Sequence, residues 1–125
     1  MPVCLRYGLG LIPYVPLAQG ILAGNYRRGE PPRPGSRLAF RGVDHIDERL
    51  LDIVDALGAF ARERAISLLD VAIGGLAAQP AVSTVIAGAM TAEQVTANAK
   101  AGDWLPSAAD LAALHAITRM TDAPT

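Results

Sequence analysis

Apolar residues fall along this chain in two patterns, unbroken runs and helical spacing, and the alternation between them predicts its elements. Leu9-Gly10-Leu11-Ile12-Pro13-Tyr14-Val15-Pro16-Leu17 is a nearly continuous apolar run, the form of a parallel strand buried on both faces. Pro13 removes a ladder donor, which counts against a central antiparallel strand. From Ala18 to about Asp47, Gly20, Gly24, Gly29, Gly35, Gly42 and the Pro31, Pro32, Pro34 cluster predict a long loop. From Asp47 to about Arg64, Leu50, Ile53, Val54, Leu57, Phe60 and Ala61 share one helical face, with Asp52, Asp55 and Arg62 opposite. Ser67, with Asp70 three residues on, starts a second helix that runs to about Ala78. Val82 to Ile86 then reads as a second strand. One helix follows Thr91, and a last one is capped by Ser107 with Leu111, Leu114 and Ile117 as its apolar face.

The order is therefore strand, long loop, helix pair, strand, helix, helix. Strands separated by helices imply parallel β/α units with right-handed crossovers. Between the second strand and its helix lies Gly88-Ala89-Met90-Thr91, and Thr91 with Gln94 has the spacing of a capping box. A strand that ends at glycine and feeds a capped helix directs free N–H groups and a positive helix end at one spot. That arrangement is a seat for a phosphate.

Composition narrows the picture. A chain of 125 residues predicts one domain, residues 1–125. Its formal charge of −1 gives no pull toward nucleic acid or an anionic membrane surface. Apolar runs are strand-length and interrupted, so no membrane span is predicted. Cys4 is the single cysteine, which excludes an internal disulfide and fits a reducing cytoplasm, and it has no companions for a metal site. Half the residues are apolar, yet few are aromatic, a mixture suited to the interior of an α/β protein. Asp44-His45-Ile46-Asp47 has the composition of a weak metal or acid–base cluster, although loop charges are more often simply solvated. Arg28-Gly29-Glu30-Pro31-Pro32-Arg33-Pro34 has the R-x-x-P-x-x-P spacing of an SH3 ligand, a coincidence in a loop of this composition.

The segments Tyr7–Tyr26, Leu76–Val82, Val85–Ala89 and Glu93-Gln94-Val95 with Asn98 together resemble the C-terminal part of the aldo/keto reductase family. Members are (β/α)8 barrels that bind NADP(H) without a Rossmann fold and reduce aldehydes and ketones. The resemblance implies a partial TIM barrel, strands seven and eight with their helices, preceded by the tail of helix six. Such barrels bind phosphate with the loops after those two strands. Carried over by position, Pro16, Leu17, Gln19 and Gly20 would lie along the cofactor pyrophosphate. Ile86, Gly88, Ala89, Thr91, Gln94 and Asn98 would surround its adenosine half, and the Ala18–Asp47 loop would be a strap over it.

Departures from the family pattern matter as well. Val15 replaces a frequent serine, and Ala97 a frequent glutamate. Met90 and Gln94 stand where members place a cation on the 2′-phosphate, so NAD(H) remains open beside NADP(H). Gly75 stands where a packing tryptophan is common, and a missing contact of that size costs on the order of 3–5 kcal/mol. The family's catalytic Asp, Tyr, Lys and His lie on earlier strands. Tyr7, Tyr14, Tyr26, His45 and His115 match none of them, so no catalytic residue and no metal ligand is expected here. Tyr14 reads as a packing residue and His115 as a surface or hydrogen-bonded helix residue. A full barrel needs about 250 residues, and Met1 falls within the match, which suggests a lost start. Exposed strand edges predict self-association or pairing with the missing N-terminal half. A non-catalytic nucleotide-binding or interaction module, or a non-functional gene remnant, is the alternative.

Overall fold

The computed structural model describes residues 1–42 and 46–119. Among the described residues, six α-helices and one 3₁₀ helix make up the regular structure. In chain order these are α1 (Pro2–Tyr7), the 3₁₀ helix (Ala18–Ala23), α2 (Arg37–Arg41), α3 (Glu48–Glu63), α4 (Leu68–Ala77), α5 (Ala92–Ala101) and α6 (Ala108–Thr118).

The two expected strands are corrected first. Among the described residues neither Leu9–Leu17 nor Val82–Ile86 forms a regular strand, and their pairing is a single parallel bridge between Leu11 and Val82. Leu11 N–H donates to Ala81 at 2.7 Å, Ser83 N–H to Leu11 at 2.9 Å, and Ile86 N–H to Pro13 at 2.9 Å. The register is thus that of a parallel pair, but Pro13 and Pro16 have no N–H to extend it. Two strands without flanking partners are also marginal in water. Gly10 lets the segments close up, since a Cβ there would collide with the Ser83 hydroxyl. Tyr14, expected to pack, is 78% exposed, and Leu9, Ile12, Val15 and Ile86 are exposed beside it.

The long loop is also more structured than its glycines and prolines suggest. It contains the 3₁₀ helix and α2, whose N-cap Ser36 accepts a hydrogen bond from Ala39 N–H at 3.2 Å. Burial outweighs propensity here: Leu38 is 1% exposed and packs with Ile21 and Val54. Arg28 then ties the loop to α3 through Glu48, through Asp52 at 2.6 Å and through Asp55 at 3.5 Å.

Helix α3 begins where Asp47 accepts from Arg49 N–H at 2.9 Å. Its buried face is Leu51, Val54, Leu57, Phe60 and Ala61, with Leu50 and Ile53 half-buried at the margins. Leu51 was not on the expected face but is buried, and Val54 of the same helix packs with Ile21 of the 3₁₀ helix and Leu38 of α2. Ser67 and Asp70 form the reciprocal cap that starts α4, and Ser107 and Asp110 do the same for α6. The main core joins Leu57, Phe60, Ala61, Val71 and Leu114, with Trp104 and Ile117 at its edge.

Helix α4 lies at the centre, against α3, α5 and the 3₁₀ helix. Val71 through Gly75 are all buried. At Gly74 a Cβ would stand 2.8 Å from the carbonyl oxygens of both Ala101 and Trp104, so backbone packs directly on backbone. The expected gap at Gly75 does not exist: a Cβ there would meet Leu114 Cδ1 at 3.0 Å and Trp104 at 3.5 Å. The tryptophan that helix packing needs comes from the α5–α6 turn rather than from α4. Gln79, buried at the end of α4, donates to Gly75 C=O at 3.1 Å and faces His115 Nε2 at 2.9 Å. His115 is thereby a hydrogen-bonded helix residue, as expected.

Arg64 closes the core from the side. Its guanidinium stacks on Phe60, 3.6 Å from the ring centroid, and donates to Asp110 at 2.6 Å. That contact, with the Ser107 hydroxyl and N–H, lowers the Asp110 pKa from 3.8 to about 2. A carboxyl whose pKa is lower in the folded chain stabilises the fold above its ordinary value and loses that contribution as acid protonates it.

Two outcomes follow. In Gly74→Ala the carbonyls cannot give way, and urea unfolding is expected to show a loss of about 1–3 kcal/mol. Thermal stability should fall as pH drops from 3.8 toward about 2, and that fall should be smaller in Asp110→Asn.

Candidate functional site

The bridge between Leu11 and Val82 is parallel, so the chain leaves both extended segments at the same end. The Pro16–Gly20 turn follows the first and the Gly88–Thr91 turn the second. The expected residues therefore occupy two neighbouring loops, joined at their base by the bond from Ile86 N–H to Pro13 C=O.

In the first loop Pro16 is buried, while Leu17, Gln19 and Gly20 are half-buried. Ala18, Gln19 and Gly20 are left-handed in succession, with φ of 44°, 61° and 105°. Glycine tolerates this region; alanine and glutamine do not favour it, and such strain persists only where tertiary contacts hold it. Two local bonds close the turn, Gly20 N–H to Leu17 C=O at 2.8 Å and Asn25 N–H to Gly20 C=O at 3.3 Å, and one contact from farther along the chain joins them, Arg41 Nη1 to Gln19 Oε1 at 3.4 Å.

In the second loop Ile86, Gly88, Ala89, Thr91 and Gln94 are exposed and Asn98 is half-buried. Asn98 Nδ2 donates to Gly88 C=O at 3.2 Å and so ties the turn to α5. A Cβ on Gly88 would meet nothing within 4 Å, which leaves its backbone open to a ligand. Thr91 caps α5 by accepting from Gln94 N–H at 3.2 Å. The reciprocal half of the expected box is corrected: Gln94 Oε1 accepts from Met90 N–H at 2.7 Å, one residue before the cap. The bend at Met90 brings its N–H closer to the glutamine than that of Thr91, which is extended at φ −131°.

The positive end of α5 already has an anion. The Glu93 carboxyl is held below its ordinary pKa by its own backbone N–H and by the Thr91 hydroxyl. A ligand phosphate at this position would meet a resident negative charge.

Beneath the turn is a shallow apolar depression of about 220 Å³, lined by Ile73, Val85, Ala87, Val95 and Ala99 with Ala89 and Asn98. Of the expected residues it takes only those last two; the rest lie on the rims of the two loops. Val85 and Ala87 were legible from alternation, because they share one side of the extended segment two residues apart. Arg41 carried no sequence signal, since nothing local tells that α2 folds back on Gln19. The Asp44-His45 pair lies outside the described residues. Among the described residues no group of three His, Cys, Asp or Glu is arranged to hold a metal ion. No helix among them is long and apolar enough to cross a membrane.

Residues 1–119 match the Aldo/keto reductase family. This chain belongs to the aldo/keto reductase family. Its members are built on a (β/α)8 barrel, and the family generally uses NAD(P)H. The chain is 38% identical over 111 residues to a protein of Oryza sativa subsp. japonica named a probable voltage-gated potassium channel subunit beta, covering 85% of this chain and 34% of that protein. A protein of the same name in Arabidopsis thaliana is 36% identical over 111 residues, with the same coverage of 85% and 34%. The L-glyceraldehyde 3-phosphate reductase of Escherichia coli (strain K12) is 32% identical over 99 residues, covering 75% of this chain and 29% of the reductase. The chain thus spans about a third of the length of these relatives.

Proposed function

We propose that this chain is the cofactor-holding C-terminal part of an NADP(H)- or NAD(H)-dependent aldo/keto reductase, with the catalytic groups supplied by the rest of a barrel. The observation that carries this reading is the parallel bridge that sends both loops out of one end. Loops after the last two strands are where such barrels take up phosphate. Two features fit the group: open space beside Gly88, and a depression beside Asn98 that is apolar enough for a flat ring; the N-terminus of α5, where Glu93 already sits, adds no seat for a phosphate.

In this reading the bound nicotinamide supplies or accepts the hydride. The chain's own residues bind and orient it. Pro16, Leu17, Gln19 and Gly20 follow the pyrophosphate, while Ile86, Gly88, Ala89, Thr91, Gln94 and Asn98 enclose the adenosine half. The exposed apolar side at Leu9, Ile12, Tyr14, Val15 and Ile86 is where the remaining barrel strands would pack. Glu93, with Met90 and Gln94 beside it, disfavours a 2′-phosphate and so tilts the choice toward NAD(H).

A second reading is a binding module without turnover of its own. It draws support from relatives whose names describe a channel subunit rather than an enzyme.

Fluorescence titration of the 125-residue chain with NADH and NADPH separates these outcomes. Saturable binding without turnover of an aldehyde is expected; no binding at millimolar cofactor would remove the cofactor reading, and turnover would place catalytic groups within this chain. Glu93→Gln removes an exposed charge, and the ratio of NADPH to NADH affinity is expected to rise about two- to fivefold.

A further inference from the structure

The first extended segment has one open side, and its hydrogen-bond register says which. Leu11 uses both its N–H and its C=O on residues 81–83, and Pro13 C=O accepts from Ile86 N–H. Backbone groups alternate sides along an extended chain, so Gly10, Ile12 and Tyr14 point the other way. These three make no backbone hydrogen bond among the described residues, and they are exposed where Leu11 and Pro13 are half-buried. The proline falls on the inner row, so the outer row keeps every donor.

Nothing along this side discourages pairing. Edges are usually blunted by charge or by proline on the open side, and residues 8–26 carry no charged side chain. Leu9, Ile12, Tyr14 and Val15 stand exposed there. Just before them, α1 has no buried residue, and its Val3, Leu5 and Tyr7 are exposed as well. A helix of six residues is not stable alone in water, so α1 needs a surface that a single chain does not offer it. A series of this length goes beyond the scattered apolar exposure normal for a monomer and reaches the several hundred Å² that mark an interaction surface.

The opposite edge does not support further growth. Ser83 and Ile86 both direct their N–H groups at residues 11–13, which interrupts the alternation of that segment, and Val82 N–H is already bonded to Gln79 C=O at 2.9 Å. Head-to-tail addition therefore lacks a second face. The outer row is instead self-complementary, because Gly10 and Tyr14 are equidistant from Ile12 along the chain.

We propose that this edge binds a second copy of the chain, with residues 10–14 of the two copies paired antiparallel about a two-fold axis at Ile12. Each Ile12 exchanges N–H and C=O bonds with Ile12 of the copy, and Gly10 stands opposite Tyr14. Antiparallel pairing brings α1 of one chain to the Tyr14 and Val15 end of the other, where both leave apolar side chains in the open. The chain bends at Tyr14, so the pairing is short and apolar contact supplies most of the affinity. A strand from the rest of a barrel would compete for the same edge, and the pair does not depend on the cofactor reading.

Sedimentation velocity of the 125-residue chain over a concentration series reads the pair directly. A species of twice the chain mass is expected at tens of micromolar. Ile12→Lys sets two cations face to face on the axis and is expected to weaken association about tenfold. Its circular dichroism should be unchanged, since Ile12 is exposed in the single chain. Phe40→Lys, a like change at an exposed residue of α2, should match the parent. In a Cys4→Ser background, a short bis-maleimide should join Ile12→Cys to its copy and leave Ala97→Cys on α5 unjoined. That cross-link decides the matter if Ile12→Lys fails to fold. A parent chain that stays monomeric overturns the proposal and leaves the edge to another occupant, such as a strand from the rest of a barrel. Equal association of Ile12→Lys and Phe40→Lys, or no cross-link at residue 12, puts any pairing on another surface and overturns it as well. A ladder of larger species that Ile12→Lys removes overturns the closed two-fold pair.

Discussion

The close approach of backbone to α4 at Gly74 is the constraint on which the rest of this structure depends. With no Cβ at that position, the carbonyls of Ala101 and Trp104 come within contact of the helix. The C-terminus of α5 and the turn into α6 are thereby pinned to the most buried helix of the chain. A helix of ten residues spans about 15 Å, so pinning one end of α5 sets where Thr91 and the loop before it must stand. Trp104 meets Phe60 edge-on at 6.2 Å between centroids and carries the same constraint into α3. Gly75 extends it by admitting Leu114.

Charge plays a different part on the two sides of α3. Arg64 is part-buried, stacked on Phe60 and bonded to the cap of α6, so it joins two elements where solvent is reduced. Arg28 is exposed and spreads over three carboxylates, an arrangement that orients a long loop more than it stabilises it. The firmer hold on that loop is Leu38, with Ile21 and Val54. The two loops of the candidate site differ accordingly. One is strained and closed by two local bonds with one contact from α2; the other is a capped helix start that largely supports itself.

The apolar surface left in the open is consistent with a chain that spans about a third of its relatives. Val3, Leu5 and Tyr7 of α1 continue the exposed series of Leu9, Ile12, Tyr14 and Val15. In a closed barrel, strand edges are consumed by neighbours on both sides. Here each extended segment has one neighbour at most, and a single bridge is the result.

The sequence by itself determined the local features: the helical face of α3, the Ser67–Asp70 and Ser107 caps, the Thr91 cap, and the order of segments that marks the family. These depend on residues within a turn or two of each other, and short-range physics is legible in short-range pattern. Tertiary structure alone decided the rest. Apolar runs that read as strands became extended segments, because a strand exists only with partners that complete its hydrogen bonds. Residues that read as a loop became the 3₁₀ helix and α2, because burying Leu38 outweighed the weak propensity around it. The vacancy expected at Gly75 was filled by Trp104 from another element. Arg41 reached Gln19 for the same reason: side chains far apart in sequence meet only where packing brings their elements together.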